Sequence, residues 1–164
     1  MKYTKLQFVI IVLLRYLIGW HILYEGVAKL ITPHWSSLGF LRQSKGVLSG
    51  FAQWVISNDD ILSVVDFLNT WGLIAIGLGL LLGLFARTAS VIGAVLLFIY
   101  YLNSPPLIGM KYVMPVDGNY LIVDKTLIEA VALCALALFP TSQVFGIDAF
   151  WVMHSQKRRR NENE

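Results

Sequence analysis

The chain has 164 residues, of which 57% are hydrophobic and 14% are charged, with a formal net charge of +3 at pH 7. Its mean hydropathy is +0.66. One soluble core of this size does not need so much apolar surface, so the composition excludes an ordinary soluble domain and indicates an integral membrane protein.

Four apolar stretches are candidates for membrane-spanning helices, and they cover about residues 6–30, 61–86, 88–102 and 120–139. A helix needs about 20 residues to cross a hydrocarbon core of about 30 Å. Runs of this length without strict polar alternation favour helices over barrel strands. The sequence therefore predicts an all-α integral membrane protein, with a four-transmembrane-helix bundle in residues 1–155.

The first stretch follows two lysines, as the apolar region of a signal peptide would. It is longer than such a region usually is, it carries Arg15 in its middle, and no small-x-small cleavage site follows Leu30. We therefore interpret it as a retained helix.

The positions of the basic residues predict the orientation. Lys2 and Lys5 precede the first span, Arg87 lies between the second and third, and residues 157–160 are all basic. With four spans these positions fall on one side, so we expect both termini in the cytoplasm. The basic tail, residues 156–164, is interpreted as a topology signal near anionic headgroups and not as a nucleic-acid site. The segment before it, TSQVFGIDAFWVMHSQ, suits a cytoplasmic interfacial position.

The loop between the first two spans, residues 31–60, is expected on the outer side. It contains two tryptophans and two phenylalanines, which favours a structured lid or interfacial hairpin over a flexible loop. Arg42 and Lys45 lie in this loop against the positive-inside trend. Either they are solvated charges, or they create a local electrostatic field that draws a small anion to the outer side.

Metal and thiol chemistry find little support in the sequence. Cys134 is the single cysteine, so the chain has no internal disulfide, no CxxC pair and no thiolate metal site. The three histidines are spread over different regions without metal-ligand spacing. We predict no metal and no haem, so any electron transfer must use a bound cofactor, a substrate or another subunit.

Each predicted span carries polar side chains in its outer half. In the first span His21, Glu25 and Lys29 share one helix face with Arg15, since successive residues turn by about 100°. Charged groups at membrane depth almost always face the bundle interior or a wet cavity, so we expect a polar pocket that opens outward. The other polar residues are Asp66 and Asn69 in the second span, Tyr100 and Tyr101 in the third, and Asp124, Lys125 and Glu129 in the fourth.

Two interpretations of this pocket stay open. In the first, Glu25 pairs with Lys29 and Lys125 pairs with Glu129, and the pairs set the helix register. In the second, the convergence of polar groups from four helices forms a ligand site. The residues assigned to structural pairing are Arg15, Asp124 and Lys125.

Five segments follow one another in the order expected of a known protein family: LRYLIGWHILYEGVAKL, HWSSLGFL, KGVLSGFAQWV, LNTWGLIAIGLGLLLGLFAR and DGNYLIVDKTLIEAVAL. The first of them contains the pattern R-x3-G-W-x5-G-x2-K-L. Together they resemble the DoxX-like family of membrane proteins, and most closely its DoxD branch, the membrane subunits of thiosulfate:quinone oxidoreductases. The resemblance covers nearly the whole chain, up to about residue 148.

The resemblance implies a four-helix, multi-pass subunit of a bacterial or archaeal cytoplasmic (inner) membrane. It also implies that a DoxA-like partner subunit takes part in oxidising thiosulfate to tetrathionate, with quinone as the electron acceptor. We expect a small sulfur anion at the cationic residues, proton exchange at two carboxylates, and a quinone headgroup at the remaining polar residues. These sets are Lys29, Arg42, Lys45 and His21 for the anion, Glu25 and Glu129 for protons, and Tyr100, Tyr101, Asp66 and Asn69 for quinone.

Other functions remain open. A non-catalytic scaffold or assembly subunit would dock a periplasmic partner through the 31–60 loop and the segment PPLIGMKYVMPVDGNY. A transporter for small molecules or lipids fits less well, because four short-looped helices without an inverted repeat make a poor alternating-access device. The bilayer is the expected surrounding, and helix faces rich in glycine allow a homodimer.

Overall fold

A computed structural model describes residues 4–106, 121–139 and 145–148, and six helices account for the regular secondary structure in these residues. The three long helices are α1 (Lys5–Ile31), α4 (Asp59–Leu82) and α5 (Ala86–Asn103), and each is long and apolar enough to cross a membrane. Their length and composition place the chain among membrane proteins. The shorter helices are α2 (Leu38–Arg42), α3 (Ser49–Ile56) and α6 (Lys125–Leu138).

The fourth predicted span differs most from the sequence interpretation. We placed its start at about residue 120, whereas α6 begins at Lys125 and has 14 residues. Asp124 sets this start, because its side chain accepts a hydrogen bond of 2.8 Å from the backbone N–H of Leu127. A helix of this length is about 21 Å long at 1.5 Å per residue, so α6 is not among the three membrane-capable helices.

The predicted outer loop contains α2 and α3. Leu41 of α2 and Ala52 and Val55 of α3 form a small buried cluster beside the first turns of α4. The connection between the two helices is tied to α5, since the backbone carbonyl of Asn103 accepts hydrogen bonds from the Ser44 hydroxyl (3.2 Å) and from the Gly46 N–H (3.3 Å). The segment is therefore fixed against the end of α5.

The main apolar core lies where α1 packs along α4 and α5 packs against α4 and α6. Gly77 is required for the first contact, because a Cβ there would lie 2.6 Å from the backbone nitrogen of Leu23. Many large apolar side chains point outward from the long helices, including Leu13 and Leu17 of α1 and Val95 of α5. These side chains are suited to contact with lipid.

The end of the molecule opposite the predicted pocket is closed by residues 145–148. Asp148 accepts a hydrogen bond from the N–H of Phe85 (2.9 Å) at the turn between α4 and α5. Arg15 is only 2% exposed, and its Nη2 donates a hydrogen bond of 2.8 Å to the carbonyl of Phe145. Arg15 therefore links α1 to this segment. The basic tail, 156–164, and most of the predicted interfacial segment lie outside the described residues.

Candidate functional site

A polar cavity of about 330 Å³ lies at the end of the molecule where α1 and α5 finish and α4 and α6 begin. We call this end the polar end. The cavity wall combines polar side chains from all four of these helices with aromatic side chains from the chain that follows α1. The polar side chains from the helices are His21, Glu25, Lys29, Asn69, Tyr100, Lys125, Thr126 and Glu129.

His21 is the centre of the polar contacts in this cavity. Its Nε2 lies 2.8 Å from Nζ of Lys125, and its Nδ1 lies 3.1 Å from Oε1 of Glu129. Glu25 approaches the same ring from α1, with its Oε1 at 3.9 Å from Nε2. One imidazole from α1 is thus held between an ammonium and a carboxylate from α6.

These contacts decide where the neutral imidazole of His21 carries its proton. The ammonium of Lys125 can only donate, so Nε2 of His21 accepts its hydrogen bond and carries no proton. The proton of the neutral ring then lies on Nδ1, which is 3.1 Å from the carboxylate of Glu129 but makes no hydrogen bond to it. Glu129, His21 and Lys125 thus form a row of neighbouring groups that can each hold a proton.

Lys29 does not form the expected ion pair with Glu25. Its Nζ lies over two aromatic rings, 5.3 Å from the centroid of Trp35 and 5.7 Å from that of Tyr100. An ammonium above such rings is attracted by their negative faces. The contact leaves a lysine charge beside the cavity, where a negatively charged ligand atom can approach it.

Three polar atoms of the cavity wall stand out because they are buried and make no hydrogen bond within the described residues. They are Nδ1 of His21, the hydroxyl of Tyr100 and the amide oxygen of Asn69, whose side chain lies beside that hydroxyl. A buried polar group without a partner costs free energy, so a native structure normally supplies one. A bound ligand with its own donor and acceptor atoms would satisfy them.

Several predicted site residues lie elsewhere. Arg42 and Lys45 are exposed and are not part of the cavity wall, because the chain around α2 turns them away from it. Tyr101 donates a hydrogen bond of 2.7 Å from its hydroxyl to the carbonyl of Ile122. Asp66 accepts hydrogen bonds from the backbone N–H and the hydroxyl of Ser37. Asp124 is the cap of α6 described above.

Trp35 is the main cavity residue that sequence reasoning did not assign. It lies just after the end of α1, and its ring covers Lys29. The sequence carries one signal for it, since Trp35 comes two residues after Pro33, close to the end of α1. As for metals, the described ranges contain no group of three or more His, Cys, Asp or Glu side chains that could hold an ion.

In comparisons with family models, with curated proteins and with solved structures, the chain matches none. The DoxX-like resemblance therefore rests on the sequence segments alone.

Proposed function

We propose that the chain is a DoxX-like membrane subunit of a quinone-linked oxidoreductase, and that its polar cavity receives the headgroup of a quinone. The observation that carries this proposal is the row of Glu129, His21 and Lys125 on the wall of a cavity in which three buried polar atoms make no hydrogen bond. In this proposal α6 and its flanking residues form a fourth crossing. The polar end faces outward, and both termini lie in the cytoplasm of a prokaryotic cell.

The cavity fits a quinone headgroup in size and chemistry. Its volume of about 330 Å³ lies at the lower end of the range of small-molecule sites, roughly 300–1,000 Å³. The ring carbonyls of a quinone accept hydrogen bonds, and the Tyr100 hydroxyl and the Lys29 ammonium can donate them. After reduction the ligand carries hydroxyls, and the amide oxygen of Asn69 can accept one of these.

A bound quinone supplies a two-electron acceptor that takes up two protons on reduction. The role of the protein is to deliver those protons and to stabilise the negative charge on the reduced ligand. His21 can exchange a proton at either ring nitrogen, and Glu129 at its carboxylate. Lys29 and Lys125 place two ammonium groups where negative charge develops in the cavity.

The resemblance supplies the electron donor of this proposal. Two thiosulfate ions joined to one tetrathionate release two electrons, which balance one quinone that also takes two protons from the medium. Because Arg42 and Lys45 lie outside the cavity wall, we assign the sulfur anion to a separate position near these residues. A DoxA-like partner subunit would complete that position.

Reduction of a decyl benzoquinone by thiosulfate tests this proposal, in membranes that contain the wild-type chain and its candidate partner. We expect thiosulfate-dependent reduction above that of membranes without the chain. Glu129→Gln should lower it, whereas Asp60→Asn, an exposed change in the first turn of α4, should not. Equal rates with and without the wild-type chain would contradict the redox proposal.

One observation favours a second candidate, the non-catalytic scaffold. Val47 is 87% exposed, and the exposed rings of Phe51 and Trp54 pair at 5.7 Å on the surface of α3. An apolar surface of this kind is suited to a partner protein. Native mass spectrometry in mild detergent separates the candidates, since a retained quinone supports the redox subunit and a retained protein without quinone supports the scaffold.

A further inference from the structure

A second cavity of about 280 Å³ adjoins the polar cavity, and the two share a wall. Lys29 and Trp35 line both of them. The second cavity is more open, and Phe67 and Trp71 of α4 lie in its wall. Its polar lining residues, apart from Lys29, are Thr32, His34, Asp66 and Thr70. Trp35 therefore stands between the polar cavity and a second cavity that carries two aromatic rings of α4 on its wall.

The position of Trp35 is fixed from two sides. Two residues further along, Ser37 donates hydrogen bonds to Asp66 of α4 from its backbone N–H (2.8 Å) and from its hydroxyl. Lys29 of α1 holds the ring from the other side through its ammonium. The chain after α1 is thereby anchored between α1 and α4, which keeps Trp35 in the wall that the two cavities share.

The aromatic side of the second cavity continues into the outward-facing apolar surface of α4. The rings of Phe67 and Trp71 pair at 6.3 Å, and both side chains are exposed, as are Val64 and Leu68 on the same helix. In a membrane-spanning helix such a surface meets lipid acyl chains. The second cavity therefore borders the apolar surface that α4 would present to the bilayer.

We propose that the second cavity binds the apolar chain of an amphiphilic ligand whose polar head occupies the polar cavity. This inference rests on the proposed function and adds a substrate class to it: a quinone with an apolar side chain, in preference to a tailless quinone. The tail lies along Phe67 and Trp71, and Trp35 with Lys29 marks the boundary between tail and head.

A pair of ligands with one headgroup tests this inference: a benzoquinone without a side chain and the same ring with a decyl chain. Their dissociation constants are measured in lipid nanodiscs for the wild type and for Trp71→Ala. We expect Trp71→Ala to weaken decyl binding about tenfold, as the loss of contacts to two methylenes would, and to leave tailless binding unchanged. Because both proteins share one lipid, partitioning of the tail into the bilayer cancels.

Phe98→Ala is the matched control, since Phe98 is an exposed aromatic residue of α5 that pairs with Tyr101 and lines neither cavity. It should change neither dissociation constant. If Trp71→Ala leaves decyl binding as in the wild type, the tail site is overturned while the head site stands. If the wild type binds neither ligand, the proposed function itself fails.

A measurement on the wild type covers the case in which Trp71→Ala does not fold. A decyl benzoquinone with a diazirine at the end of its tail is photolysed in the nanodiscs, and the labelled residues are found by mass spectrometry. Labels at Phe67, Trp71 or their neighbours on α4 support the tail site. Labels confined to other helices would overturn it.

Discussion

Lys125 lies 104 positions after His21 in the chain, yet its Nζ is 2.8 Å from Nε2 of the imidazole. The contact joins α6 to α1 at the polar end and turns the other ring nitrogen toward Glu129. A protonated imidazole would place an N–H against the ammonium, so the geometry favours a neutral ring beside a charged lysine. This contact determines which ring nitrogen of His21 can carry the proton of the neutral imidazole in the cavity.

The first prediction concerns the proton on His21. Nitrogen NMR of the histidine-labelled protein in detergent should place the proton of the neutral ring on Nδ1, with His21→Gln used to assign the signal. Lys125→Met removes the donor to Nε2 and should increase the share of the other tautomer. A wild-type ring protonated mainly on Nε2 would contradict the assigned hydrogen bond.

The second prediction separates the two carboxylates. The side chain of Glu129 is 17% exposed and 3.1 Å from His21, whereas that of Glu25 is 48% exposed and 3.9 Å away. Glu129→Gln should therefore lower quinone reduction roughly a hundredfold, as loss of a general acid–base group does, and Glu25→Gln should lower it far less. The turnover numbers of both variants, measured at saturating quinone, check this order. A larger loss in Glu25→Gln would mean that Glu25, and not Glu129, is the main proton-exchanging carboxylate.

The third prediction concerns the packing of α1 on α4. Gly77→Ala places a Cβ 2.6 Å from the backbone of Leu23, so one of the helices must shift. We expect a loss of about 1–3 kcal/mol, typical of overpacking, seen as a lower midpoint of thermal unfolding in detergent. Gly72→Ala in the same helix is the control, since no described heavy atom lies within 4 Å of its added Cβ. Equal midpoints for both variants would mean that the helices are not in close contact.

The fourth prediction concerns Arg15. Arg15→Met removes the hydrogen bond to the carbonyl of Phe145 and leaves that acceptor without its charged donor. The loss should be about 2 kcal/mol, the usual range for a hydrogen bond to a charged group, and thermal unfolding measures it. Arg42→Met removes an exposed arginine and should have little effect. If the two variants unfold alike, the link between α1 and residues 145–148 contributes no stability.

The convergence of polar groups at one end could be predicted from the sequence, and their individual contacts could not. Spacing along α1 places His21, Glu25 and Lys29 on one face, and all three line the cavity. Spacing within a helix says nothing about the register of α6 against α1, and that register brings Lys125 to His21. For the same reason, spacing along α1 predicts a pair of Lys29 with Glu25, whereas the ammonium of Lys29 lies over two aromatic rings from other parts of the chain.

The path of the chain between α1 and α4 does not follow from its sequence pattern. Its aromatic content indicated structure, and α2 and α3 lie there. The path of such a segment depends on tertiary hydrogen bonds, here from Ser37 to Asp66 and from Ser44 to Asn103. These bonds bring Trp35 to the cavity and leave Arg42 and Lys45 at the surface. The first of them also explains why Asp66 contacts Ser37 and not the polar cavity.

The central claim, a quinone headgroup in the polar cavity, is tested most directly by a binding titration of the tailless benzoquinone. Three proteins are compared in nanodiscs: the wild type, Tyr100→Phe and Tyr101→Phe. The hydroxyl of Tyr100 is buried in the cavity wall beside the side chain of Asn69 and makes no hydrogen bond of normal geometry there, whereas that of Tyr101 donates to the carbonyl of Ile122. We predict saturable binding to the wild type, weakened about tenfold in Tyr100→Phe and unchanged in Tyr101→Phe. No saturable binding to the wild type, or equal loss in both variants, would contradict the claim.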